Sequence, residues 1–331
     1  MKNIIVTDFD TLEDWPFRRG IEKVSNEEWS ILSFPNNKVK KGWGDLQRYL
    51  KYFTIPYEIF KKRKEYKNIV FWQTFYGVVF AFYCKLFGVK KVNKSAIMHI
   101  VYNPKKGLIG KLYYKWLKYS TNNKYVDLFI CPSQRNCNYL SDTLDISNSK
   151  FVFSPLGIEP ISQDGIINGD YYLAAGRSNR DYSWLIDSFN GINQKLIIIN
   201  DQLKEYNDDN IQIKDNVWKA DYIKYLKECK GVILPIDDPN VDSGFLVLLQ
   251  AMACKKPVII TKPSCIADDY LDNMVNGIII NKNKDELVEA LTMLSLDNDF
   301  YNKICSNAYN TYINKYSLEA YGANVGKAII S

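Results

Sequence analysis

The chain has one histidine, His99, in 331 residues, and none of its seven cysteines stands in a CxxC pair. That argues against a zinc site of the usual Cys and His spacing. The odd cysteine count argues against a disulfide framework. Several thiols, among them Cys84, Cys131 and Cys254, sit in apolar segments where they act as small hydrophobes. This usage points to a reducing compartment, and the expected location is the cytoplasm. Long apolar runs are also lacking. The longest, residues 77–87, is broken by Lys85 and is too short to cross a bilayer. The opening MKNIIVTDFD reaches carboxylates too early for a secretory signal. Low-complexity segments and short-period repeats are missing, and Gly and Pro are modest. What remains is a globular chain long enough for two α/β domains.

Tyrosine is abundant, with 24 residues against 16 Phe and 7 Trp. Such rings suit surfaces that are part dry and part wet. An A+T-rich genome would give the same bias without any functional reason. Charge is divided unevenly. Residues 1–160 hold 26 Lys+Arg and 14 Asp+Glu, and the remainder holds 17 and 23, so the halves carry +12 and −6. Two domains with different partners would produce this split.

Strand and helix patterns alternate along both halves. In the first, strands are expected at 3–7, 68–72, 95–101, 127–131 and 151–155. Helices are expected at 44–67, with a break at Pro56, and at 75–87, 108–120 and 134–143. Residues 156–170 (LGIEPISQDGIINGD) have no periodicity and read as a linker. A second βα series follows from residue 171 and ends in two helical stretches, 299–315 and 318–329. Ligands of parallel sheets lie beyond the carboxyl ends of the strands, so two such domains are expected to face a common cleft.

The most informative stretch is LPIDDPNVDSGFLVLLQAMACKKPVII, residues 234–260. A strand runs into an acidic loop, and an apolar helix, 245–254, opens after Asp242, Ser243 and Gly244. A second strand follows. A helix start in front of a sheet offers backbone N–H groups and a positive dipole end to an anion. Capping by Asp242 or Ser243 is the plain alternative. Earlier, Gly176, Arg177 and Arg180 follow another strand end, and arginine suits phosphate because its fork donates two bonds.

These segments resemble glycosyltransferase family 4, retaining enzymes of the GT-B fold found in bacterial surface polysaccharide assembly. The family's signature of two acidic residues eight apart, followed by a small-Met-Ala run and a Pro-led strand, is matched by Asp242 through Ile260, with Gln250 at the second acidic place. The segment from Tyr172 to Phe189 is similar to the family's Gly-Arg loop, with Arg177 in the arginine place and Arg180 in the usual lysine place. Val275-Asn276-Gly277 resembles its Asn-Gly strand. The resemblance covers residues 172–316 well and the first half in outline. It implies an α/β GT-B fold with two Rossmann-like parallel-sheet domains facing a central cleft. Residues 1–158 would be the acceptor side, 159–316 the nucleotide-sugar side, and 317–331 a helix packing back on the first domain.

The resemblance also implies roles. Asp242 would accept from donor-sugar hydroxyls and His99 would face the donor sugar, both as catalytic residues. Gly176, Arg177, Arg180, Ser243, Gly244, Phe245, Leu246 and Gln250 would bind the donor, with both arginines on the diphosphate and Gln250 on the ribose. His99 at the end of an apolar strand is equally a packed structural histidine. No metal or other cofactor is implied. The donor would be a nucleoside-diphosphate sugar, UDP-linked as first choice, and the acceptor a glycan or lipid-linked glycan. The basic, aromatic stretches 38–43, 57–64 and 105–118 suit an anionic membrane surface, hence a peripheral position on the inner membrane face. Nucleic acid is not expected, since no module for it is present.

Two alternatives stand. Ile4 through Leu12 resembles the opening of haloacid dehalogenase-like magnesium phosphatases, with Asp8 as nucleophile and Asp10 as acid/base. Gln250 in place of a carboxylate would also suit a non-catalytic GT-B partner subunit.

Overall fold

A computed structural model describes residues 1–35, 43–100, 102, 104–203, 206 and 209–331. The chain divides into two compact units, 1–154 with 319–331, and 155–318.

In the first unit the order is β1 (Lys2–Thr7), α1 (Pro16–Ser25), β2 (Trp29–Ser33), α2 (Trp43–Lys61), β3 (Tyr66–Phe71), α3 (Thr74–Leu86), β4 (Lys94–Met98), α4 (Gly107–Thr121), β5 (Leu128–Cys131), α5 (Gln134–Leu144) and β6 (Phe151–Phe153). The six strands form one parallel sheet ordered β2-β1-β3-β4-β5-β6. Ile4, Ile5, Val6, Ile69, Val70, Phe71, Ile97 and Phe129 are fully buried, as strands covered on both faces require. The expected break at Pro56 is not there: α2 runs through it. Ile55, Ile59 and Phe60 are buried in the core beside it, and that packing offsets the missing N–H bond. The basic stretch beginning at Lys38 lies outside the described residues up to 42.

In the second unit the order is β7 (Tyr171–Ala175), α6 (Tyr182–Phe189), β8 (Lys195–Ile199), β9 (Ile211–Lys214), α7 (Lys219–Glu228), β10 (Gly231–Leu234), α8 (Phe245–Ala253), β11 (Val258–Lys262), α9 (Cys265–Tyr270), β12 (Ile278–Asn281), α10 (Lys284–Leu296) and α11 (Asn298–Thr311). A π-helical turn, Tyr312–Tyr316, then leads to α12 (Leu318–Ile330), which from Glu319 onward belongs to the first unit. The second sheet is also all parallel, ordered β12-β11-β10-β7-β8-β9. In sequence rank this is 6-5-4-1-2-3, the doubly wound Rossmann order, which reverses direction between β7 and β10. The loops leaving those two strands border the crevice at that switch point.

Within the first unit α12 lies directly on α1. A Cβ on Gly20 would stand 2.0 Å from Glu319 O, and one on Gly322 would stand 2.0 Å from Phe17 O. Only glycine lets the two backbones come this close.

Candidate active site

Two loops meet at the switch point of the second sheet. The loop after β7 carries Gly176, Arg177 and Arg180; the loop after β10 carries Asp242, Ser243 and Gly244. Asn179 laces them together. Its Nδ2 donates to Asp238 O (2.9 Å) and Val241 O (3.2 Å), and its Oδ1 accepts from Asp238 N (2.7 Å). Asn179 has φ 57°, a left-handed conformation that asparagine tolerates.

Arg180 turns its guanidinium into this junction. Nε donates to Ala175 O at 3.3 Å. Nη1 donates to Ser178 O and Asn179 O, both at 3.1 Å, and to Ser243 Oγ at 3.2 Å. Every one of these acceptors is neutral. No ion pair among the described residues involves Arg180, and burial shifts its pKa downward from the usual arginine value. Gly176 (φ 119°) and Gly244 (φ 104°) flank it: a Cβ on either would lie 3.1 Å from Arg180 Nη2. The sequence thus spends two glycines to bring backbone against one largely buried cation.

α8 starts beside that cation with no side-chain cap; Gly244 is its N-cap residue. Capping by Asp242 or Ser243, the plain alternative, does not occur. Ser243 Oγ donates to Ser178 O (3.1 Å), and Asp242 Oδ1 accepts from Cys265 Sγ at 3.0 Å. The first N–H groups of α8, from Phe245, Leu246 and Val247, therefore point forward without a helical acceptor. The Phe245 ring is buried and packs on Tyr270 with centroids 5.1 Å apart, so this residue offers the site its backbone only.

Beside the junction lies a cavity of about 390 Å³ lined by Gly176, Arg177, Asn200, Trp218, Leu246 and Gln250, among others. Arg177 does not stand with Arg180. Its Nη2 pairs with Asp201 Oδ2 at 2.6 Å and its guanidinium lies 4.2 Å from the Trp218 ring centroid. The two arginines expected on one diphosphate thus have different partners, because Asp201 and the indole draw Arg177 toward the cavity. Asn200 Nδ2 donates to Gly176 O (2.8 Å), and its Oδ1 accepts from Gln202 N (2.7 Å), which fixes the end of β8. Lys214 and Tyr222 line the same cavity. Sequence reasoning did not single out Asn200, Asp201, Lys214, Trp218 or Tyr222. The one available signal was the exposed-type tryptophan after a short strand.

His99 belongs to the first unit. It leaves β4 in a left-handed conformation, φ 53°. Its Nε2 is 2.6 Å from Tyr321 Oη on α12, its ring stacks on Tyr321 at 5.8 Å, and Trp72 meets it edge-on at 5.7 Å. Burial pushes the imidazole pKa down to about 4, so it is neutral at pH 7. Asp8 Oδ2 accepts from Gln73 Nε2 at 3.3 Å, and Asp10 Oδ1 is 3.5 Å from Ser33 Oγ. Among the described residues no group of three or more His, Cys, Asp and Glu is arranged to hold a metal ion.

This geometry is that of a doubly wound α/β domain with a largely buried arginine beside a helix start at its switch point. Residues 191–311 match the family model "Glycosyl transferases group 1". An uncharacterized glycosyltransferase of Methanocaldococcus jannaschii is 23% identical over 241 residues, 69% of this chain and 66% of that relative, just under two thirds of its length. Among solved structures, a glycosyltransferase from Rickettsia africae superposes with a TM-score of 0.64 at 16% identity, covering 100% of this chain and 99% of that one. Anabaena HepE, crystallised with UDP, superposes with a TM-score of 0.66 at 14% identity, covering 100% of both chains. The fold is GT-B, and within the second unit residues 191–311 are similar to group 1 glycosyltransferases. Together these findings support a glycosyltransferase.

Proposed function

We propose that the protein is a retaining glycosyltransferase that moves a hexose-type sugar from a UDP-sugar to a lipid-linked or nascent surface glycan. One observation carries the donor half of this reading: Arg180 holds a positive charge whose bonded partners are all neutral, next to an uncapped helix start, in the crevice where doubly wound sheets bind ligands. A buried charge without a counter-ion is unfavourable, and a diphosphate seated there supplies the missing anion. The adjoining cavity has the size of a nucleoside pocket, with Trp218 as a ring to stack on and Gln250 as a neutral partner for ribose hydroxyls. The nucleotide in the Anabaena neighbour supports UDP as the carrier.

The chemistry asked of the chain is then electrostatic. Departure of UDP builds negative charge on the β-phosphate, and Arg180 with the α8 N–H groups would stabilise it. Asp242, on the loop just before them, would accept from sugar hydroxyls. We assign no metal to the mechanism. The non-catalytic alternative rests on Gln250 alone, and the phosphatase alternative on Asp8 and Asp10 alone.

The test is a panel of nucleotide sugars scored for thermal stabilisation and slow hydrolysis, with and without EDTA. Stabilisation by UDP-sugars with sugar release that survives EDTA is the expected result. Stabilisation without release by any donor would favour the non-catalytic reading. Phosphate release that needs magnesium and is lost in Asp8→Asn would favour the phosphatase.

A further inference from the structure

Arg177 and Asp201 line the cavity beside the switch point but take no part in the bonds around Arg180. Arg177 Nη2 pairs with Asp201 Oδ2 at 2.6 Å, and the guanidinium lies over the Trp218 ring, 4.2 Å from its centroid. A base stacked on that face of the indole occupies the same layer as the guanidinium. It therefore meets the Arg177–Asp201 pair edge to edge.

The pair presents a fixed pattern to such an edge. A guanidinium only donates and a carboxylate only accepts, and here the two stand side by side. The other polar side chains lining the cavity set no such pattern. Asn200 is occupied by Gly176 O, Gln202 N and Leu203 N. Asn216, Gln250 and Tyr222 carry groups that can both donate and accept, and Lys214 only donates. Among the described residues that line the cavity, Asp201 is the one carboxylate.

We propose that the Arg177–Asp201 pair reads the base of the donor nucleotide and selects uracil over cytosine, with Arg177 donating to the O4 carbonyl and Asp201 accepting from the N3–H. This role rests on the cavity holding the nucleoside of a UDP-linked donor, as proposed for the protein. Cytosine carries the reverse order at the same two atoms. Its amino group would meet the guanidinium donor, and the lone pair of its ring nitrogen would meet the carboxylate. The two rings have the same size, so stacking on Trp218 does not separate them. A directed donor and acceptor do, because the wrong edge leaves both charged groups unpaired. The separate partners of the two arginines then have a reason: Arg180 serves the phosphates and Arg177 the base.

The experiment is calorimetry of the full chain with UDP and with CDP, on the unaltered protein, Asp201→Asn and Arg180→Ala. Thermal melting of each variant is the control for folding. The unaltered chain should bind UDP at least tenfold more tightly than CDP. Asp201→Asn should bring that ratio to about threefold or less, or reverse it, because the amide oxygen stays with Arg177 and an N–H turns toward the base. Arg180→Ala should weaken both nucleotides alike and leave the ratio in place. Equal binding of UDP and CDP by the unaltered chain would overturn the proposal, and so would a tenfold preference that survives Asp201→Asn. Either result leaves UDP binding, and with it the donor site, intact. Failure of the unaltered chain to bind either nucleotide would instead remove the donor site, and the base-reading role with it.

Discussion

Arg180 Nη1 donates to Ser243 Oγ across 3.2 Å, so the guanidinium that follows β7 is braced by the residue two places before α8. One contact thus joins the two loops of the switch point and holds the cation beside the free helix N–H groups. Arg180→Ala should weaken UDP binding by ~2 kcal/mol or more, the scale of a charge-assisted hydrogen bond. It should also lower stability, because three loop carbonyls lose their donor. Calorimetry with UDP reads the first effect and thermal melting the second. Arg180→Lys keeps the charge but not the planar fork, and should recover only part of either.

Gly244 has no room for a side chain. At φ 104° any other residue is strained, and a Cβ would sit 2.8 Å from Ile266 Cδ1 and 3.1 Å from Arg180 Nη2. Gly244→Ala should cost about 1–3 kcal/mol of stability in chemical denaturation. It should reduce UDP affinity as well, through displacement of Arg180. Gly176→Ala, at φ 119°, should behave alike.

Trp218 is expected to contribute by stacking. Trp218→Ala should lower UDP affinity by about 1 kcal/mol, while Trp218→Phe keeps most of it. The Arg177–Asp201 pair is exposed, so Asp201→Asn should change stability by less than about 1 kcal/mol. Comparing uridine with UDP by calorimetry separates base stacking from phosphate contacts.

His99 gives the first unit a pH dependence. Its folded pKa, pushed down to about 4 by burial, lies below the unfolded value near 6.5. Between those values the unfolded chain binds the proton and the folded one does not, so stability falls as pH drops from about 6.5 toward 4, by roughly 3 kcal/mol in all. His99→Asn, which tolerates the left-handed backbone, should flatten that part of the curve in denaturation midpoints taken at pH 7, 6 and 5.

Much of this was legible in the sequence, for identifiable reasons. The strand expected at 3–7 and the helix expected at 134–143 lie within a residue of β1 (Lys2–Thr7) and α5 (Gln134–Leu144), because an apolar run and a Ser133 cap mark them clearly. Gly176, Arg180, Ser243 and Gly244 were named together, and the structure brings them into contact. α1 was missed because the helix is short and its buried face is made partly of Gly20, which periodicity does not count. α9 was missed because it has six residues and lies behind Pro263. The cavity beside the junction was invisible because Gly176, Asp201, Trp218 and Gln250 come from separate segments, and only the strand order brings them to one place. Arg177 was assigned from the arginine place of the family's Gly-Arg loop. Nothing local announced that Asp201, beyond the next strand, would pair with it.

The most direct test is a crystal structure of the protein with UDP at saturating concentration. The account predicts phosphate oxygens within about 3 Å of an Arg180 nitrogen and of an N–H at the start of α8, with the base in the cavity beside Trp218. Clear density for UDP elsewhere, or none with Arg180 still bonded only to Ala175, Ser178, Asn179 and Ser243, would contradict it.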